Sequence, residues 1–292
     1  MARSSVIVSG ATSQVGFFLL PRLIDSRYHI HALSRNTPDA QHVVNPLITW
    51  HQIDLSRGWK NLNINEASCF IHLAPIWLLP DIIESLSFLP IQHITALSST
   101  SRFSKLHSHD SFEHEIVQKL ADAEERCVTE CNSRRISWTL LRPTMIYGCG
   151  MDRNVTMVAR FIKRFGFFPL VGGGKGYRQP VHADDIAGAC MAVMNCPAAL
   201  NRVYNLSGGQ TLTFRDMVEA IFSALGKRPR IVSIPLKLAL LLMKGATLFP
   251  AYRHLNREMI ERVNQDICFD SSDAVRDFGY SPRTFQYQEH VR

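Results

Sequence analysis

An apolar run, Val6-Ile7-Val8-Ser9, leads directly into Gly10-Ala11-Thr12-Ser13-Gln14-Val15-Gly16, and residues 17–25 continue with helical apolar spacing. A strand that must turn at once into a helix has few conformations open to it. Gly10 lets the chain turn sharply, and Gly16 lets the helix pack close to the strand. The first N–H groups of such a helix have no partner inside it. With the helix dipole they form a seat for a phosphate or diphosphate. The middle glycine of the usual G-x-x-G-x-x-G spacing is Ser13 here. Its Cβ and hydroxyl stand where the backbone approaches the phosphates, to donate a hydrogen bond or to weaken binding. A turn that binds nothing is the alternative, and the context after the motif decides how far the glycines count.

That context is an alternation of strands and helices. Residues 28–34, 49–53, 69–73, 93–98 and 136–142 read as further strands, and residues 114–132 as a long helix. Apolar strands separated by helices imply a parallel sheet covered on both faces. The expected fold is α/β, a Rossmann-type doubly wound parallel sheet, with its first domain over residues 1–150. After residue 150 the pattern loosens. Residues 155–165, 184–194 and 213–225 read as helices, the last with Thr213 as N-cap, and 202–206 as a strand.

Composition narrows the partners. The 292 residues are 46% hydrophobic, enough for a sizeable core, and the formal charge of +7 is spread without a block of like charges. No nucleic-acid tail is expected, while an anionic substrate or cofactor suits the balance. The seven cysteines form no C-x-x-C pair. They read as reduced, buried thiols rather than metal ligands, so no metal is expected. The start of the chain lacks the pattern of a secretory leader, and a cytoplasmic location is expected. Residues 236–250 are the most apolar later stretch, yet too short to span a bilayer. They suit packing in the C-terminal half, lining of a cleft, or contact with a membrane surface. His107, His109 and His114 cluster in sequence without a ligand spacing, and read as a polar loop.

The end of the second strand bears on the nucleotide. Folds that prefer NAD usually place an acidic residue there for the ribose hydroxyls, and this chain has Arg35, which suits a 2′-phosphate. NADP is therefore expected over NAD, with a surface arginine as the plain alternative. Asp54, after the third strand, is placed to accept from an adenine amino group.

Several segments in the same order resemble the extended short-chain dehydrogenase/reductase superfamily, the epimerase/dehydratase type. They are the Gly10–Gly16 turn, Asp54-Leu55, His72-Leu73-Ala74, Leu97-Ser98-Ser99-Thr100, Leu141-Arg142-Pro143 through Ile146-Tyr147-Gly148, Arg178 through Val181-His182 and Asp185-Ile186-Ala187, and Gly279-Tyr280-Ser281-Pro282. The resemblance spans nearly the whole chain. It implies a smaller C-terminal α/β substrate cap over most of residues 151–292, with about 177–195 returning to the Rossmann core. It implies a cofactor site of Gly10, Thr12, Ser13, Gln14, Val15, Gly16, Arg35, Asp54, Leu55, Leu73, Ala74 and Lys119. It also implies substrate contacts from Ser99, Thr100, Tyr147 and Arg178. Arg178 would meet a substrate diphosphate, or would form a structural salt bridge to Asp184 or Asp185.

One departure matters. In the family a tyrosine transfers a proton, and a lysine four residues later lowers its pKa and holds the nicotinamide ribose. Lys119, followed by A-x-A-E, fits that lysine, and the tyrosine position is then Glu115. Glu115 is either a substitute acid, bypassed by another donor such as His114, or an i,i+4 ion-pair partner of Lys119. The catalytic set is expected to be Ser99, Glu115 and Lys119. The expected function is an NAD(P)-dependent oxidoreductase or epimerase/dehydratase-like enzyme on a nucleotide-sugar or related carbonyl or hydroxyl substrate, with a homodimer allowed. The alternative is a non-catalytic NAD(P)-binding sensor or assembly subunit of the same fold.

Overall fold

Each central strand carries apolar side chains toward two different cores, which forces the sheet to be covered on both sides. In β1 (Ser5–Ser9), Val6 and Val8 enter one core and Ile7 the other. The computed structural model describes residues 5–36, 45–58, 64, 66–86, 88–106, 108, 110–239, 241 and 257–289. His107, His109 and most of residues 236–250 lie outside the described residues, and with them the histidine-loop and membrane-contact expectations.

Seven strands form one parallel sheet: β1, β2 (His29–Ser34), β3 (Ile48–Gln52), β4 (Cys69–His72), β5 (His93–Leu97), β6 (Ser137–Pro143) and, late in the chain, a strand at Arg202–Leu206. From one edge the order is the late strand, β6, β5, β4, β1, β2, β3, all pairs parallel. Chain direction across the sheet therefore reverses between β1 and β4, which opens a crevice at their C-terminal ends. This is the doubly wound Rossmann-like architecture.

On one face lie α1 (Gln14–Asp25), the helix Ala183–Met194 and the helix Ser272–Phe278, sharing a core of Leu19, Leu23, Ile186 and Val193 among others. On the other lie α2 (Leu79–Ser85) and α4 (Ser111–Ser133), reached through a short α3 (Ser101–Ser104). The α4 helix buries Glu113, Val117, Leu120, Ala123, Glu124, Cys127 and Cys131, the three-and-four spacing of one helix face. It begins at residue 111 rather than at the expected 114, because Asp110 caps it, accepting from the Glu113 amide at 3.0 Å. The α2 helix is not legible in sequence, since it has only seven residues and carries Pro80 in its first turn.

A third core joins α5 (Val155–Phe165), the helix Phe214–Ala224, Tyr147 and Phe285. Thr213 and Asp216 form a reciprocal capping box at the start of that second helix. Strand Phe168–Val171 pairs in parallel with Ile231–Ile234 beside it, a pairing that only tertiary contact reveals.

Candidate functional site

The first turn is built as its glycines require. Gly10 has φ +66°, and a Cβ there would lie 2.7 Å from the Ala74 nitrogen and 2.8 Å from the Leu73 carbonyl carbon. A Cβ on Gly16 would lie 2.2 Å from the Ala11 oxygen. Neither position admits a side chain without backbone movement. The turn thus rests on Leu73-Ala74 at the end of β4, where the Leu73 amide donates to the Ser9 carbonyl at 3.0 Å.

His72 fastens the same junction from below. Fully buried, it accepts from the Ser9 hydroxyl at Nδ1 (2.8 Å) and donates from Nε2 to the Pro75 carbonyl (3.1 Å). Burial pushes its pKa down to about 4, so the ring is neutral, the form this tautomer needs.

Ser13 caps α1, its Oγ accepting from the Gly16 amide at 3.1 Å. The serine that replaces the middle glycine therefore uses its hydroxyl on the helix itself. Among the described residues the Thr12, Gln14 and Val15 amides have no protein acceptor. They are the donors available to an anion at this helix start. Thr12 Oγ1 lies 3.1 Å from Ser34 Oγ, linking the turn to the end of β2. Arg35 is exposed just beyond, its carbonyl accepting from Gln52 at 3.2 Å. Asp54 opens the 3₁₀ turn Leu55–Arg57, one carboxylate oxygen taking the Ser56 amide (3.0 Å) and hydroxyl (2.7 Å). These two bonds and the nearby Arg57 and Arg35 hold its carboxyl below the usual range. Its second oxygen faces Arg57 at 3.7 Å.

A cavity of about 910 Å³ opens at the C-terminal end of the sheet, lined at its base by Gln14, Ser99 and Thr100. The Gln14 Oε1 is buried without a hydrogen-bond partner among the described residues. An orphaned acceptor there fits a hydroxyl or amide donor of a bound ligand, and with the open amides beside it the residues suit a pyridine dinucleotide. Ser99 accepts from the Ser101 amide at 3.1 Å, which leaves its hydroxyl hydrogen for other acceptors. Thr100 is spent on structure: it donates to the Pro143 carbonyl at 3.1 Å.

For two placements the structure differs from the catalytic or substrate role expected, and for Arg178 it excludes one of the two alternatives. Glu115 and Lys119 pair with each other at 2.6 Å, both side chains half-exposed, and neither lines the cavity. The reason is helical register. The inward face of α4 is set by Glu113, Val117 and Leu120, and a residue two positions from Glu113 points to the far side. Tyr147 is buried against His182 and Phe285, its hydroxyl accepting from the Gln286 amide at 3.3 Å, away from the cavity. Arg178 does reach the cavity wall, yet it forms no salt bridge with Asp184 or Asp185, which pair instead with Arg22 and Arg283. Its guanidinium donates to the carbonyls of Tyr177 (2.7 Å), Gln265 (2.5 Å) and Arg262.

The residues of α4 that matter were missed. Glu113 is buried on the cavity wall, held by Lys105 at 3.2 Å, the Ser108 hydroxyl at 2.8 Å and Arg262. Burial alone would raise its pKa, but hydrogen bonds from Arg262 and Ser108 and the charge of Lys105 bring it below the usual range. Glu124 is the deeper hub. It accepts from Ser98 (2.5 Å), from Arg142 in a two-pronged contact (Nε at 2.9 Å) and from Arg102. That network holds the end of β5, and hence Ser99, against β6. Only the order of acidic residues along α4, at three-residue and four-residue spacing from buried apolar ones, signalled either residue. Among the described residues no group of three or more His, Cys, Asp or Glu is placed to hold a metal. None of their helices is long and apolar enough to cross a membrane.

Residues 116–207 match the model of the NAD dependent epimerase/dehydratase family. Across 102 residues the chain is 31% identical to the NADH dehydrogenase [ubiquinone] 1 alpha subcomplex subunit 9 of Arabidopsis thaliana, covering 35% of this chain and 25% of that one. Across 187 residues it is 28% identical to a 2-alkyl-3-oxoalkanoate reductase of Stenotrophomonas maltophilia, covering 60% and 55%. These matches span between a quarter and about half of the relatives' lengths. In structure it is similar to the UDP-glucuronic acid 4-epimerase of Bacillus cereus in complex with UDP-glucuronic acid and NAD, with TM-score 0.73 at 14% identity over 96% of this chain and 95% of that one.

Proposed function

We propose that this chain, whose residues 116–207 match the NAD dependent epimerase/dehydratase family model, is a divergent member of that family that binds a pyridine dinucleotide without running the family's phenol-based proton transfer. The open amides at the start of α1, with Gly10 and Gly16 allowing close approach, hold the diphosphate. Arg35 favours NADP over NAD by meeting a 2′-phosphate, and Asp54, Leu55, Leu73 and Ala74 flank the adenosine and ribose groups. When bound, the cofactor supplies hydride acceptance or donation. The chain supplies position and charge.

The observation that carries this reading is the Glu115–Lys119 ion pair on the solvent side of α4. The tyrosine is absent, and the lysine that would hold the ribose is turned away from the cavity and paired. A sensor of cofactor, or a subunit of a larger assembly, needs the first half of the site and not the second. The likeness to a subunit of an NADH dehydrogenase agrees with that role. The test is titration of the purified full chain with NADPH and NADH, followed by single-turnover assays with UDP-sugars and ketones. Tight NADPH binding with no change in nicotinamide absorbance supports the proposal, and stoichiometric hydride transfer refutes it. Arg35→Ala is expected to weaken NADPH about tenfold and NADH little, the size of one charge-assisted contact.

A second reading has its own support. The cavity extends along the C-terminal half beyond the glycine turn, and Ser99 lines it with a hydroxyl hydrogen to give. This favours a reductase of a small carbonyl compound, with a proton donor other than Glu115.

A further inference from the structure

The cavity wall contributed by the C-terminal half has a composition ill suited to a sugar nucleotide. Beside polar groups that include Asn154 and Gln179, its apolar stretch is formed by Met145, Met157, Phe161, Phe168, Phe214 and Met217. Such side chains offer no hydrogen bonds to a uracil ring or to sugar hydroxyls, and burying those groups against them is costly. Methionine and phenylalanine together make a deformable apolar surface that accepts chains of varied shape. The wall continues outward: Phe161 stacks on Phe165 at 4.6 Å and approaches Phe167 at 5.8 Å, and Met157, Phe165 and Phe167 are exposed.

The cavity also carries charged groups, and the charges do not balance. Lys105, Arg153, Arg178 and Arg262 line the cavity against two carboxylates, Glu113 and Asp152. Both carboxylates are already engaged. Glu113 takes Lys105 and Arg262 at once, and Asp152 takes the Asn154 and Thr156 amides at 3.0 and 2.9 Å. Arg178 is buried and has no carboxylate partner among the described residues. Three backbone carbonyls hold it beside Arg262. Burial, with Arg262 close by, pushes its pKa down to about 10 against the opposing pull of Asp266 and Cys268. Arg153 is exposed to solvent, so the enclosed lining keeps one cation in excess, which an anion would relieve.

We propose that this cavity takes an amphiphilic anion, a carboxylate-headed aliphatic chain, with its head toward Arg178 and Arg262 and its chain along the methionine–phenylalanine wall. This ligand is additional to the dinucleotide and does not depend on it.

Isothermal titration of the full chain with octanoate, decanoate and dodecanoate, each with and without NADPH, tests the idea. The affinity is expected to rise about fourfold per methylene, the ratio that corresponds to burying one CH₂. Dodecanol, with the same chain and no charge, is expected to bind at least tenfold more weakly than dodecanoate. In Arg262→Gln that preference for the charged head is expected to shrink toward unity. Met157→Glu, at an exposed position that folding tolerates, is expected to weaken dodecanoate at least tenfold and octanoate less. Saturable binding of UDP-glucose, with alkanoates showing no dependence on chain length, would overturn the proposal. So would unchanged dodecanoate affinity in Met157→Glu. Failure of NADPH to bind refutes the dinucleotide reading only, since the alkanoate titrations are read separately.

Discussion

Replacing Glu124 by alanine removes the charge around which the end of the central sheet is assembled. The carboxylate is 2% exposed and is contacted by Ser98, Arg142 and Arg102. Arg142, its main partner, has a side chain only 16% exposed, so the substitution strands a cation where water reaches it poorly. Removing one member of a buried, hydrogen-bonded pair costs roughly 3–5 kcal/mol. For 292 residues unfolding as one unit, the entropy is ~0.6 kcal/mol per kelvin. The melting temperature is therefore expected to fall by about 5–8 °C. Glu124→Gln keeps the shape and loses the charge, and is expected to cost about 1–3 kcal/mol. Replacing both partners, Glu124→Leu with Arg142→Met, is expected to recover much of the loss, because no charge is left without its counterion. The effect carries a pH signature. Burial raises the Glu124 pKa, but hydrogen bonds from Arg142 and Ser98 outweigh it and leave the folded value below the ordinary one. The folded state thus binds the proton less readily than the unfolded chain. The stabilisation is full above the unfolded carboxylate range and is lost as pH falls through the folded value. Urea unfolding followed by circular dichroism at several pH values reads all of this. A loss under about 1 kcal/mol in Glu124→Ala, or a double variant no better than the single one, would refute the hub assignment.

Gly16→Ala places a Cβ against the Ala11 carbonyl, and is expected to lower the melting temperature and abolish NADPH binding, both read in one thermal-shift series with and without nucleotide. Glu115→Gln and Lys119→Gln each remove an exposed i,i+4 pair worth about 0.3–0.5 kcal/mol, so NADPH affinity should stay within twofold in titration; a tenfold loss would return the pair to the cofactor. His72 is neutral when folded, with a pKa of about 4 against 6.5 unfolded, so stability is full above pH 6.5 and falls by ~1.4 kcal/mol per pH unit between 6.5 and 4. In His72→Gln that share of the acid slope is expected to vanish from chemical denaturation curves.

The sheet was readable because its signals are local. Val6 to Gly16 carries its own dihedral and packing demands, and each later strand announces itself by an apolar run of strand length. The same is true of Thr213 as a cap and of residues 155–165 as an amphipathic helix. The α2 helix was hidden, since seven residues span only two turns, too few for a period to show. The pairing of Phe168–Val171 with Ile231–Ile234 was hidden because two short strands far apart in sequence share no local mark.

The site divided along the same line. The glycine turn, Thr12, Arg35 and Asp54 follow one another at strand ends, and their juxtaposition comes from chain order alone. The face of α4 that meets the cavity follows from packing. Sequence spacing to the family's lysine points to residues 115 and 119, while the burial of Val117, Leu120 and Glu124 turns Glu113 inward and those two outward. Glu113 then meets Arg262, 149 residues away, and Arg178 meets the carbonyls of the same segment. By itself the sequence determined the parallel sheet and its phosphate turn, because backbone dihedrals and apolar period are properties of neighbouring residues. The rotation of α4 and the charge of the cavity were decided by tertiary structure, because they depend on which distant side chains exclude water together.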